Sequence, residues 1–250
     1  MISVCMATYN GSKFIREQLE SILSQLPTDA EVIVADDGST DDTLAILNSF
    51  GVGRIRVLPA EKHLGVIYNY ERALQASKGE FIFLADQDDI WLPGKVEKVL
   101  AALNDGDLVV HDAWMLRPSE PSGSSWVRDG KLSEIRPYTK GVFANWWKNS
   151  FTGCCMAFRR SILDRALPFP RNLPMHDQWL GLVAEKFFRV SYVAETLIEY
   201  RQHSDNATHI GNSPAVFLQK IKWRLNLARA IFQVCNVKFL ITHFTFHITR

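Results

Sequence analysis

Three carboxylates in four positions, Asp86-Gln87-Asp88-Asp89, close an apolar run from Phe81 to Ala85. Such a run reads as a buried strand, so its acidic end concentrates negative charge where a sheet stops. Side chains two apart on an extended segment share a face, which lets Asp86 and Asp88 converge on one hard cation with Gln87 turned away. Mg²⁺ or Mn²⁺ suits this arrangement. Mg²⁺ usually keeps one or two protein carboxylates and leaves its other positions to water and substrate phosphates. The architectural alternative is an acidic strand-to-helix turn in which Asp89 caps the next helix.

The segment from Asp36 to Thr43 has two uses open to it. Asp37 can accept hydrogen bonds from the imide N–H of a uracil or thymine ring, or from ribose hydroxyls. Ser39 or Thr40 can cap the next helix across a turn at Gly38, although capping alone needs only one such side chain. The segment is not Gly-x-Gly-x-x-Gly, and no Walker lysine follows it, so dinucleotide and P-loop readings are weak. His111-Asp112, His176-Asp177 and His203 add further groups at element ends. Asp177, after Pro174, is well placed to cap a helix. Trp146, Trp147 and Trp179 can stack on a sugar, although tryptophan is more often core.

The elements that hold these residues alternate. Ile2–Tyr9, Glu31–Ala35, Ile55–Leu58, Phe81–Ala85 and Leu108–His111 read as strands. Between them, Ser12–Gln25, Asp41–Phe50, Val66–Ser77 and a helix opened by Pro93 and running to Leu103 carry apolar faces at helical spacing. Near-continuous apolar strands joined by helices imply α/β architecture: a mostly parallel, Rossmann-like sheet covered on both faces. Ligands bind in such sheets outside the carboxyl ends of the strands. Topology alone therefore brings Thr8 and Asn10, Asp36 and Asp37, and Asp86 and Asp88 to one edge. Residues 117–139 read as a long surface excursion, either a linker or a flap over the site. Regular structure resumes with a strand at Phe151–Phe158, a helix at Asp177–Phe188 and one or two strands in Arg189–Arg201. This divides the chain into an α/β half (1–112), a second half of the same domain (113–205) and a tail (206–250).

A chain of 250 residues, 47% hydrophobic, can bury a substantial core. A formal net charge of +1 argues against a protein that coats nucleic acid. That total hides an asymmetry: six cations and no carboxylate follow Asn206, and the part before it is net acidic. Cys5, Cys154, Cys155 and Cys235 have no Cys-x-x-Cys spacing and read as reduced thiols. The first residues lack a signal-peptide pattern, and no apolar stretch is long enough to span a bilayer. The expectation is a cytoplasmic protein.

Taken in order, Ala7-Thr8-Tyr9-Asn10-Gly11, Asp36–Thr43, Leu64-Gly65-Val66 with Asn69, and Asp86–Trp91 resemble the family 2 glycosyltransferases of GT-A fold. Thr152-Gly153-Cys154, His176-Asp177-Gln178-Trp179 and Tyr200-Arg201-Gln202-His203 extend the resemblance, which covers roughly residues 1–205. The Asp86–Trp91 form and Arg16-Glu17-Gln18-Leu19 are similar to a bacterial rhamnosyltransferase-like subgroup. The resemblance implies that Thr8, Asn10, Asp36, Asp37, Asn69 and Asp86 bind the nucleotide. It also implies that Asp86 and Asp88 hold the cation, with His203 as a candidate third ligand, and that Asp177 is the general base. Asp89, His111, Asp112, His176 and Trp179 are candidates to face the donor or acceptor sugar. The implied activity is inverting transfer from a nucleoside-diphosphate sugar, with dTDP-rhamnose favoured by the subgroup, to a saccharide or lipid-linked acceptor. Cell-surface polysaccharide biosynthesis would be its setting.

Ala215–Cys235 reads as a basic amphipathic helix with a polar stripe at Gln219, Lys222, Asn226, Arg229 and Gln233. It can lie on an anionic membrane, placing the protein at the cytoplasmic face of the inner membrane, or pack on the catalytic domain. Two other functions compete. A sugar-nucleotide pyrophosphorylase wants a Gly-rich basic loop after the first strand, which Ala7–Gly11 is not. A non-catalytic nucleotide- or carbohydrate-binding subunit is favoured if Asp177 lies away from Asp86 and Asp88, or if nucleotide binds without turnover.

Overall fold

The computed structural model describes residues 1–51, 53–60, 62–120, 125–203 and 217–245. The chain alternates β1 (Ile2–Thr8), α1 (Ile15–Leu23), β2 (Glu31–Asp36), α2 (Thr43–Ser49), β3 (Ile55–Leu58), α3 (Val66–Ala76) and β4 (Phe81–Ala85). There follow β5 (Ile90–Trp91), α4 (Lys95–Ala102), β6 (Leu108–Pro118), β7 (Trp126–Lys131), α5 (Leu132–Ile135) and α6 (Val142–Trp147). The chain continues through β8 (Met156–Arg159), α7 (Leu163–Ala166), α8 (His176–Phe187), β9 (Val190–Arg201) and α9 (Phe217–Thr245).

One sheet holds the strands in the order β3-β2-β1-β4-β8-β6-β9-β5, with β7 on β6. β3, β2, β1 and β4 run parallel, as continuous apolar strands require when helices cover both faces. β8 lies antiparallel between β4 and β6, and β9 runs parallel to β6. The sheet is therefore mostly parallel, as expected, with β5, β7 and β8 reversed. Register sets the site. Thr8 pairs with Asp36, and Met6 pairs with Ala85, so β1, β2 and β4 end level with one another.

Alternation along the strands divides the core in two. Val4 and Met6 pack with Ile15, Leu19 and Ile22 of α1 and Val99 of α4. Cys5, Ile33 and Leu84 pack on the other face with Tyr70 and Leu74 of α3 and Leu180 and Val183 of α8. Each fully buried aliphatic side chain contributes about 1.5–3 kcal/mol. Leu227 and Ala230 of α9 join this second layer.

The structure corrects three readings. Residues 117–139 are not a free flap. β6 continues to Pro118, β7 returns antiparallel to it and α5 follows, while 121–124 lie outside the described residues. The strand expected over Phe151–Phe158 is confined to Met156–Arg159, because Gly153–Cys155 forms a 3₁₀ turn. Ile90–Trp91 is a short strand paired with β9, so the helix expected from Pro93 starts at Lys95. Ala215, Val216 and the end of the tail lie outside the described residues. The cysteines are free, as their spacing implies.

Candidate active site

The carboxyl ends of β1, β2 and β4, together with the start of α8, enclose a cleft of about 250 Å³. Thr8, Asp37, Asn69, Asp86, Asp88, His176 and Asp177 all line it, with Tyr9, His63, Gln87 and Arg136. Acidic groups from separate stretches of the chain thus meet in one place.

On the first wall, β1 and β4 are cross-linked above the sheet. The Thr8 hydroxyl donates to Gln87 Oε1 at 2.5 Å, and the Tyr9 N–H donates to the same oxygen at 2.9 Å. Gln87 does not turn away. Residues 86–89 leave the strand as a turn, so the two-residue alternation that would exclude Gln87 no longer applies. Asp37 is buried and accepts from the N–H groups of Leu64 (2.6 Å, Oδ1) and Gly65 (2.9 Å, Oδ2), tying the start of α3 to β2; His63 Nδ1 lies 2.9 Å from Oδ2 as well. Asn69 Oδ1 accepts from Arg72, which also donates to the carbonyls of Leu58 and Pro59.

Two residues expected at the nucleotide lie outside the cleft lining. Asp36 accepts from the N–H groups of Gly38 and Ser39 and the Ser39 hydroxyl, holding the turn after β2. Asn10 is exposed with a left-handed φ of 49°, and its Oδ1 accepts from the Thr40 N–H at 2.9 Å. Its short polar side chain suits that conformation.

The acidic cluster divides by depth. Asp86 accepts from the Tyr70 hydroxyl at 2.6 Å, and its pKa is raised to about 6, first by desolvation and then by the charge of Asp88. Asp88 Oδ2 lies 2.9 Å from His203 Nε2, so these two expected cation ligands are neighbours. Asp89 is not at the sugar. It is fully buried, Oδ1 accepts from the Arg201 N–H at 3.2 Å, and burial raises its pKa well above the usual range. Beside it lies Lys95, also fully buried, which donates to the Cys154 carbonyl at 3.0 Å and sits over the Trp91 ring. Desolvation lowers the Lys95 pKa to about 8. Sequence reasoning missed Lys95, since a lysine opening a helix ordinarily faces water.

The second wall comes from α8 and the turn before β8. Gly181 lets α8 approach Phe151, whose ring occupies the space a Cβ would need, and this packing fixes the helix start at the cleft. A Cβ on Gly153 would fall 2.9 Å from His176 Nε2, so glycine is required there too. Asp177 Oδ1 accepts from Asn149 Nδ2 at 3.2 Å. The helix cap position belongs to Met175, so Asp177 is not the cap. His176 is buried, stacks on Tyr70 at 3.9 Å, and neither ring nitrogen has a hydrogen-bond partner among the described residues. Desolvation lowers its pKa to about 4.

Trp179, expected at a sugar, is fully buried one helical step inward, and its indole N–H donates to the Ala166 carbonyl. A side chain with no exposed face cannot be a stacking platform. His111 and Asp112 line a separate, smaller pocket; Asp112 accepts from the Ser133 hydroxyl and N–H, and the His111 pKa is well below its usual value through burial. Arg136 was missed. It borders both pockets, and it donates to the Phe151 carbonyl at 3.2 Å. Nothing local marks it, since it follows a four-residue helix in an irregular stretch.

Burial and the charge of Asp88 raise the pKa of Asp86, and a carboxylate pair so placed creates a demand for a cation. Two carboxylates and an imidazole, as Asp86, Asp88 and His203 offer, are donors of the kind Mg²⁺ or Mn²⁺ takes, but among the described residues these three do not form one converging set. The donors that do lie within 4.8 Å of one another are those of Asp86, Asp89 and the Cys154 thiol. That set fits a hard cation poorly, because burial and the neighbouring carboxylates hold the thiol protonated.

A parallel sheet with a reversed strand and an acidic turn at its carboxyl edge defines the GT-A class of glycosyltransferase. The chain belongs to the family described as glycosyl transferase family 2, whose profile matches residues 3–167. It is 27% identical over 239 residues to the dTDP-rhamnosyl transferase RfbG of Shigella flexneri, covering 90% of this chain and 79% of that one. It is 32% identical over 191 residues to the UDP-Glc:alpha-D-GlcNAc-diphosphoundecaprenol beta-1,3-glucosyltransferase WfgD of Escherichia coli, covering 74% and 70%. Its fold is similar to that of the mannosyltransferase PcManGT from Pyrobaculum calidifontis, solved with GDP-Man and Mn²⁺. The TM-score is 0.62 at 20% identity, over 93% of this chain and 62% of that one.

Proposed function

We propose that this chain is an inverting, metal-dependent glycosyltransferase that moves a sugar from a nucleoside diphosphate to a saccharide or lipid-linked acceptor. Its setting is cell-surface polysaccharide synthesis at the cytoplasmic face of the inner membrane, and its donor is dTDP-rhamnose. The observation that carries this reading is the meeting of Asp37, Asp86, Asp88 and Asp177 in one cleft. The likeness to RfbG supports the donor, and the likeness to WfgD supports a lipid-linked acceptor.

In this reading Thr8, Asp37 and Asn69 hold the nucleoside. Asp86, Asp88 and His203 would hold a Mg²⁺ or Mn²⁺ ion, which would supply positive charge to offset the diphosphate. Asp177, oriented by Asn149, takes the proton from the acceptor hydroxyl as its oxygen attacks the anomeric carbon. The anomeric C–O bond breaks, the nucleoside diphosphate leaves with the electron pair, and attack from the opposite face inverts the centre. His176, uncharged at neutral pH, completes the wall beside Asp177.

A thermal-shift panel of UDP-, dTDP- and GDP-sugars, with and without Mn²⁺, tests the donor site. A uridine or thymidine donor at a hundred times its Kd should add about 2.7 kcal/mol, raising Tm by roughly 5–10 °C, and only with Mn²⁺ present. A flat panel would remove the donor assignment. Release of nucleoside diphosphate, rather than triphosphate formation from pyrophosphate, separates a transferase from a pyrophosphorylase. Binding without turnover on any acceptor would favour the non-catalytic subunit.

A further inference from the structure

α9 has two apolar faces. Leu227 and Ala230 are buried against the sheet layer that includes α8. On the opposite side Leu218, Leu225 and Phe232, spaced by seven residues, are 74%, 54% and 68% exposed. Lys222 and Arg229 repeat at the same interval and flank this outer stripe. Packing on the catalytic domain accounts for the inner face only.

α6 adjoins this stripe. The Trp146 indole N–H donates to the Arg224 carbonyl at 2.8 Å, and the Arg224 guanidinium donates to the Trp147 carbonyl at 2.9 Å and lies over the Trp147 ring. Phe143 and Trp147 on α6 are 74% and 58% exposed, between Lys140 and Lys148. A groove of about 400 Å³ runs between this helix and Arg136–Thr139 and reaches Asn149, the partner of Asp177.

We infer that α6 and the outer face of α9 form one docking surface for an anionic lipid bilayer, with the groove leading a membrane-held acceptor to Asp177. This rests on the reading of the acceptor as lipid-linked. Exposed aromatic and aliphatic side chains ringed by cations match the headgroup boundary: the apolar groups enter it, and the cations meet its negative surface potential. Charge decides against a second copy of this chain as the occupant. A two-fold contact through this stripe would bring two copies of the Lys222 and Arg229 face together, and 206–250 offers no Asp or Glu to relieve them.

Co-sedimentation of the whole protein with vesicles tests this. Phosphatidylglycerol-containing vesicles should bind it at least about tenfold more tightly than pure phosphatidylcholine ones, and less tightly as salt rises. The pairs Phe143→Ser with Trp147→Ser, and Leu225→Ser with Phe232→Ser, should each weaken that partition roughly five- to tenfold. Unchanged thermal melting would show these exposed substitutions to be folded. Equal binding to neutral vesicles, no binding at low salt, or parental binding by both pairs would overturn the inference. So would a dimer that dissociates in the variants while vesicles are ignored. The nucleotide panel on the same samples keeps the two readings apart, since vesicle partition needs no donor and donor binding needs no vesicle.

Discussion

On the wall built by residues 1–112, the polar side chains already have partners within the fold. Asp36 and Asp37 take backbone N–H groups from the turn after β2 and the start of α3, and Thr8 is bonded to Gln87. On the facing wall, both His176 ring nitrogens are unpartnered among the described residues, and Asp177 accepts the Gln178 N–H and the Asn149 side chain through Oδ1 alone. The first wall is therefore preorganised by the same bonds that hold the sheet edge together, whereas the second keeps bonding capacity for a ligand. A group that serves both fold and ligand cannot be removed without loss of stability. A group held in reserve can.

The largest effect should come from Asp177→Asn. Turnover is expected to fall about 10²- to 10⁴-fold, the usual worth of a positioned base, while nucleotide affinity and melting temperature stay near the parent. Comparable turnover would end the role given to Asp177. Asp37→Ala should behave in the opposite way. It removes the acceptor of the half-buried N–H groups of Leu64 and Gly65, costing about 1–3 kcal/mol in urea unfolding, and weakens nucleotide binding as well. Loss of binding without loss of stability would erase the distinction between the walls.

A third test uses pH. Unfolded His176 takes up its proton near 6.5, but the folded ring does so only at about 4. Between those values the unfolded chain holds the extra proton, so this group's contribution to stability is present above pH 6.5 and is lost as pH falls. His176→Phe keeps the stack on Tyr70 and removes the titration. Urea midpoints at pH 7 and 4.5 should then show about 2–3 kcal/mol less acid destabilisation than in the parent. Asp86 acts in the other direction, with its pKa raised from 3.8 to about 6, so folded-state protonation favours the native protein as pH falls through 6. That term is common to both proteins, and the difference isolates His176. The smallest effect is that of Trp179→Phe. It should cost about 1–2 kcal/mol through the lost bond to Ala166 and a small cavity, with turnover unchanged. A large loss of activity at full stability would return Trp179 to the sugar site.

Local pattern determined the alternating strands and helices of residues 1–112, because short continuous apolar runs and period-3.6 apolar faces are written directly in residue order. It also determined that Thr8, Asp37 and Asp86 share an edge, since parallel strands in one sheet end together. Tertiary structure decided everything that depends on what lies across the sheet. The chain bends out of the strand after Ala85, which turns Gln87 inward and sends Asp89 beneath the cleft to Arg201 and Lys95. Trp179 is core and Arg136 is at the site because α8 docks on Phe151 through Gly181, a long-range contact with no periodic trace. Hydrophobic periodicity identifies which face of an element is covered. It carries no information about which partner covers it, and at this site the partner determines whether a polar side chain is bonded within the fold or remains open to a ligand.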